Sequence, residues 1–280
     1  MRLLGKLPLG LGRLLGTALG RLCWAFEDRG SRTTMCNLQQ CFPEKSEAEL
    51  ESIARDSMVE TGRLAVEICQ VWHKDQAWLN SKIVEITGKE ILENAVAEGK
   101  GVIVLAPHIG NWEVLGLWLV PFASRCTYLY SPPKQPYLEP VMKRARERFG
   151  ASTVPTSRRG IAELLKRLKN GEMTGILPDQ VPDEGGGELS MFYGSPVLTM
   201  TLIHGLVQRT GCRVVAGVAL RAEKGFHIHI REVSGTIASA EQSESLRALN
   251  QSVEDCINLA PEQYQWEYKR FKKCGNEKIY

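Results

Sequence analysis

No CxxC pair and no tight cysteine cluster occur in this 280-residue chain, although Cys23, Cys36, Cys41, Cys69, Cys126, Cys212, Cys256 and Cys274 are spread along it. That scatter argues against a zinc module or a disulfide scaffold and fits unpaired thiols in a reducing compartment. No uncharged run reaches the ~18 residues expected of a membrane-spanning helix. Long linkers and internal repeats are also missing, and the formal charge of +3 is too small for a uniformly basic nucleic-acid binder. With 43% hydrophobic and 24% charged residues the composition is that of an ordinary globular protein.

Acidic residues are absent before Glu27, and the first 26 residues are apolar and glycine-rich, punctuated by Arg2, Lys6, Arg13 and Arg21. A basic, apolar helix of this kind is expected to lie on, or dip into, an anionic leaflet. A cleaved signal peptide fits less well, because an arginine interrupts the apolar stretch. If the segment is retained, the chain stays on the cytoplasmic side. A buried core helix is the alternative, in which the four cations need partners or must snorkel.

What the chain does have is an alternation of strands and helices. Asn37 to Pro43 reads as a turn-rich connection, and Ser46 with Glu49 forms a capping box opening a helix to about His73. Val102 to Ala106 and Met173 to Leu177 read as buried strands, Ser157 caps a helix that stops at Gly171, and Thr199 to Gln208 looks helical. Arg213 to Leu220 is a third strand, Phe226 to Arg231 alternates, and a last helix starts near Glu241. The expected fold is α/β: a central, mostly parallel sheet covered by helices on both faces, with an N-terminal membrane-associated helical segment. Residues 1–26 form that segment, 27–100 a helical segment packing on the core, and 101–280 the core itself.

The sharpest signal is His108-Ile109-Gly110-Asn111-Trp112-Glu113, placed directly after the strand at 102–106. It puts an imidazole at a strand's carboxyl end and a carboxylate in the next helix's first turn, where Glu113 can reach back to His108. A carboxylate on one ring nitrogen fixes the tautomer and leaves the other nitrogen to take a proton. No GxSxG elbow is present, so the nucleophile would be a substrate hydroxyl. A hydrogen-bonded structural histidine and an ordinary capping glutamate are the plainer readings. Arg158 and Arg159 fall at a helix start, where a bound anion would explain them. Asp179 follows a strand, where either an active-site residue or a turn-forming Asp is expected. His227 and His229 share a face without a third ligand at metal-site spacing and read as surface residues.

The hexad is similar to the His-x4-Asp/Glu motif of glycerolipid and lipid A acyltransferases. Further blocks narrow the resemblance to the late lipid A acyltransferases of lauroyl/myristoyl type. They are Asn37-Leu38 with Cys41-Phe42-Pro43-Glu44, Arg146-Glu147-Arg148, Gly171-Glu172, Leu177-Pro178-Asp179-Gln180, Phe192-Tyr193-Gly194, and Pro261-Glu262-Gln263-Tyr264-x-Trp266 with Lys269-Arg270-Phe271-Lys272. The resemblance implies His108 and Glu113 as catalytic residues. Arg146, Arg148, Arg158 and Asp179 would serve substrate binding, with the arginine pair meeting acceptor phosphates or the oxyanion, or else forming a solvated helix face. It implies an acyl-acyl carrier protein donor, a lipid A precursor as acceptor, an anionic membrane surface at the inner membrane's cytoplasmic face, and no metal, organic cofactor or nucleic acid. The family usually carries Tyr-Arg-Pro where this chain reads Tyr130-Ser131-Pro132, with Lys134 close enough to substitute as a point charge. The aromatic and basic tail, 266–273, would meet a lipid phosphate or the carrier protein, or end as a solvated helix. Other readings are an acyltransferase for another glycolipid or a lysophospholipid, a hydrolase using water, and a non-enzymic lipid-binding protein.

Overall fold

The chain begins with two short helices and a long one, α1 (Leu9–Ala25), α2 (Arg29–Cys41) and α3 (Glu47–Val71). They are seen in a computed structural model that describes residues 3–130, 136–274 and 279–280. Arg2, Ser131 and Lys134 lie outside the described residues. The Ser46–Glu49 capping box is present and opens α3. Asn37 to Cys41, expected as a turn, instead ends α2. The polar groups that suggest a loop there are satisfied from elsewhere: Asn37 Nδ2 donates to the carbonyls of Trp266 and Tyr268 at 2.6 and 2.7 Å.

The core follows with α4 (Gln76–Lys82), β1 (Ile83–Thr87), α5 (Lys89–Ala97), β2 (Val102–Leu105), α6 (Trp112–Leu119), β3 (Thr127–Tyr130), α7 (Glu139–Glu147), β4 (Ser152–Pro155) and α8 (Arg158–Lys169). Then come β5 (Met173–Ile176), β6 (Gly187–Phe192), β7 (Ser195–Met200), α9 (Leu202–Thr210), β8 (Arg213–Ala222), β9 (Gly225–Glu232) and α10 (Gln242–Ile257). A five-stranded sheet runs β1-β9-β8-β2-β5, parallel except where β8 meets β9. The parallel pair β3–β4 continues beside β5 through a bridge from Cys126 to Met173. β1 therefore belongs to the sheet although it lies within the stretch expected to be helical.

β2 is buried along its whole length because both faces are covered. Ile103 and Leu105 pack with Leu164 and Leu168 of α8, Leu206 of α9 and Leu249 of α10. Val102 and Val104 pack with Leu79 of α4, Leu92 of α5 and Leu115 of α6. Helices thus flank the sheet on both sides, as the alternating pattern predicts.

The N-terminal helix packs in an unusual sense. Its Gly12, Gly16 and Gly20 face inward, while Leu11, Leu14, Leu19 and Leu22 stand 55%, 67%, 44% and 53% exposed. A side chain at Gly16 would lie 2.5 Å from the Arg63 Cα, and one at Gly62 would lie 2.2 Å from the Gly16 carbonyl oxygen. The glycines let the α1 and α3 backbones touch, as small residues spaced by four do between closely packed helices. Among the described residues no helix is long and apolar enough to cross a membrane.

Candidate active site

β2 and β5 are parallel neighbours with Leu105 opposite Ile176, so the residues beyond their carboxyl ends emerge side by side. Each strand is followed by a residue, a proline and a polar side chain: Ala106-Pro107-His108 and Leu177-Pro178-Asp179. Proline fixes φ and holds the residue before it extended, which carries both chains onward in step. At their ends Asp179 Oδ1 accepts from His108 Nδ1 at 2.8 Å, and Asp179 Oδ2 accepts from the His108 backbone N–H at 2.8 Å.

Asp179 is buried and His108 keeps 14% of its side chain exposed. Burial pushes the Asp179 carboxyl up, but His108 and the hydrogen bonds from its ring and amide outweigh this and hold it below the ordinary value. With Nδ1 committed to Asp179, Nε2 is the nitrogen left for proton transfer. The Gln180 amide lies 3.3 Å from it and donates on its other side to Gln265 Oε1 at 3.2 Å. Trp112 packs edge-on against the imidazole at 4.7 Å between ring centroids.

Glu113 does not supply the histidine's hydrogen-bond partner. It accepts from Arg146 Nε at 3.2 Å, from Arg146 Nη2, and from Trp72 Nε1 at 3.0 Å. Burial drives its carboxyl up, while Arg146, the Trp72 hydrogen bond and the charge of nearby His108 bring it below the usual range. The sequence separation of five favoured Glu113 as the orienting carboxylate. In three dimensions the α6 first turn carries it to Arg146 instead, and Asp179 takes the imidazole.

The backbone of the hexad is held from several sides. Gly110, at φ +61°, donates to the Gln263 carbonyl at 3.0 Å, and a Cβ there would sit 2.1 Å from the Ala219 carbonyl oxygen. No other residue fits that turn. The next amide, Asn111, donates to Ala219 O at 2.8 Å, and the Gln265 amide donates to His108 O at 3.0 Å. Asn111 also caps α6 through Val114 N–H and donates to Glu67 Oε2 at 3.0 Å. Glu67 is fully buried and receives Arg221 Nε at 2.8 Å and Arg13 Nε at 2.7 Å.

A narrow apolar cavity opens between α6, β3 and β5, lined by Gly116, Leu117, Leu119, Tyr128, Leu129 and Leu177, with Glu113 and Arg146 contributing charge. Trp112 lines both this cavity and a narrower cleft that contains His108, Gln265 and Arg221. The other expected contacts are placed elsewhere. Arg148 donates Nη1 to the Trp72 carbonyl at 3.0 Å, and Nη2 to that of Val71, so its charge closes the α3 carboxyl end. Arg158 and Arg159 are exposed on the first turn of α8, after β4. At ~4.8 Å per strand, β4 is three positions from β2, about 14 Å away.

The tail also differs from the expected solvent or partner surface. Trp266, Arg270 and Phe271 are buried, Arg270 Nη1 donates to the Leu198 carbonyl at 2.8 Å, and Lys269 and Lys272 sit over the Tyr280 and Tyr268 rings. The block Gln263 to Gln265 grips the hexad, so the tail is a buttress for His108. Residues that sequence reasoning missed include Trp72, Glu67, Arg221, Gln180 and Gln265. The x-Pro-polar ending shared by two strands was the one available signal for the His108–Asp179 pair. His227 and His229 stack at 3.6 Å, with Thr87 Oγ1 2.8 Å from His227 Nε2.

A family model described as bacterial lipid A biosynthesis acyltransferase matches residues 1–273. The chain is 28% identical to a lipid A biosynthesis lauroyltransferase of Escherichia coli over 95% of this chain and 87% of that protein. It is 26% identical to the palmitoleoyltransferase of the same organism, over 95% and 87% of the two chains. A lipid A biosynthesis acyltransferase of Haemophilus influenzae is 27% identical, over 86% of this chain and 76% of the other. With a match running through the sheet, the His108–Asp179 pair and the buttressing tail, the chain belongs to the bacterial lipid A biosynthesis acyltransferases.

Proposed function

We propose that the protein transfers a fatty acyl chain from the thioester of acyl carrier protein to the hydroxyl of a hydroxyacyl chain on a lipid A precursor, a late step of lipid A acylation. The observation that carries this reading is the buried Asp179 on His108 Nδ1, beside an apolar cavity at the carboxyl ends of parallel strands.

In the proposed reaction the acceptor hydroxyl displaces the Gln180 amide at Nε2, and His108 takes its proton as the oxygen attacks the thioester carbon. Asp179 holds the tautomer and stabilises the imidazolium. The tetrahedral oxyanion is met by the positive charge of Arg146, which Glu113 fixes in place. Collapse breaks the carbon–sulfur bond, the thiolate leaves with the proton from Nε2, and the ester and neutral imidazole remain. The acyl chain lies in the apolar cavity. Exposed leucines of α1 seat the protein on the inner membrane's cytoplasmic face, which brings the site to its lipid acceptor.

His108→Ala and Asp179→Asn should each lower kcat by about 10²–10⁴-fold, measured on purified protein with an acylated carrier and lipid A precursor. Wild-type turnover in either variant would remove the mechanism.

A further inference from the structure

Gly116 lies on α6 three residues past Glu113 and four past Trp112, the spacing that puts side chains on one helix face. It lines the same cavity. A side chain built there meets no atom within 4 Å, whereas one at Gly175 across the cavity would meet Tyr128 Cε1 at 3.1 Å. Its φ is not positive, so the backbone does not require glycine. Apart from proline, glycine is the residue a helix interior favours least. Neither backbone geometry nor protein packing therefore accounts for it.

The cavity chemistry supplies a reason. Glu113 and Arg146 mark its charged side, and beyond them Leu117, Leu119, Leu129 and Leu177 offer only hydrocarbon. Tyr128 closes a wall, with its hydroxyl donating to the Gly116 carbonyl at 2.5 Å. That turns the phenol's polar end onto the helix backbone and its ring toward the space. A straight alkyl chain passing Glu113 would run along the bare face of α6 at Gly116.

We propose that Gly116 sets the length of the acyl chain this enzyme accepts; the inference rests on the acyltransferase reading above. A side chain at this position narrows the path along α6 and excludes donors whose chain must run past it.

The test compares wild type with Gly116→Ala, Gly116→Val and Gly116→Leu on a series of acyl carrier protein thioesters from octanoyl to palmitoyl. The preferred chain should shorten stepwise with side-chain size. In Gly116→Leu the ratio of kcat/KM for the wild-type optimum to that for a donor two carbons shorter should fall roughly tenfold or more. Gly116→Ala should also melt about 2–4 °C higher, which shows that the fold is intact. An unchanged length profile in folded variants overturns the assignment. Calorimetry with free fatty acids of the same lengths separates the two readings. A wild type that transfers nothing, yet binds fatty acids with a length preference that shortens in the variants, sinks the acyltransferase reading and keeps this one. Fatty-acid binding indifferent to residue 116 sinks the cavity assignment.

Discussion

Glu113 and Asp179 are both buried carboxylates, and they differ in partner: Glu113 pairs with the Arg146 guanidinium and Asp179 with the His108 ring. Glu113→Gln keeps the shape and removes the charge that Arg146 needs. It should cost about 1–3 kcal/mol in denaturant unfolding, since the guanidinium loses its counter-ion where water only partly replaces it. Turnover should fall through a misplaced Arg146 while the His108–Asp179 hydrogen bond persists, visible as an unchanged low-field Nδ1 proton signal. Loss of that signal in Glu113→Gln, but not in Asp179→Asn, would reverse the roles. The sequence marked both acids and the histidine because each sits just past a strand or at a helix start. It misassigned the pairing because chain neighbours are visible in a sequence, whereas the register of β2 against β5 is not.

Elements were legible where local rules dominate. The capping box of α3, the Ser157 cap of α8 and the apolar runs of β2, β5 and β8 need only nearest-neighbour chemistry. The β6–β7 hairpin was missed because most of its residues are exposed or only half-buried and β6 turns its apolar Leu189 and Met191 to solvent. Its turn was written in Tyr193-Gly194, both at positive φ, the conformation that a two-residue hairpin loop uses. The end of α2, Asn37 to Cys41, was read as a turn because its polar residues suggest a loop, whereas carbonyls of the distant tail satisfy Asn37 within the helix.

The glycine face of α1 makes a prediction at this scale. Gly16→Leu cannot be accommodated against the Arg63 backbone, so α1 should separate from α3 and limited proteolysis should cut between α1 and α2. Gly10→Ala, whose side chain meets nothing within 4 Å, is the control and should resist like wild type. Equal resistance of the Gly16 variant would show that the two helices do not need their close approach.

For the molecule as a whole, acid should lower its stability over two successive pH ranges. Burial, with His227 beside it, lowers the His229 pKa to about 4 from 6.5, so the folded state resists protonation that the unfolded chain accepts. That contribution is complete above 6.5 and declines as pH falls toward 4. Glu113 and Asp179 have folded values below their ordinary ones. Their contributions hold above the unfolded carboxylate range and are lost as pH falls through the folded values. Melting temperature should therefore decline between pH 6.5 and 4 and more steeply below, and His229→Gln should flatten the first part. An identical slope in that variant would exclude His229 as the source. The mostly parallel sheet and its flanking helices followed from alternation in the sequence, but the strand order and the tail's return to grip the hexad depend on contacts between distant parts of the chain that no local pattern encodes.

Arg13 crosses from α1 to Glu67 and to the carbonyls of Ala222 and Gly225, and Glu67 in turn holds Asn111 in the turn that follows His108. Trimming the greasy leading helix to obtain an easily handled fragment would thus pull a charged pin from the floor under the histidine. The leading helix and the candidate site share one keystone, and an investigator who cuts away the first should expect to damage the second.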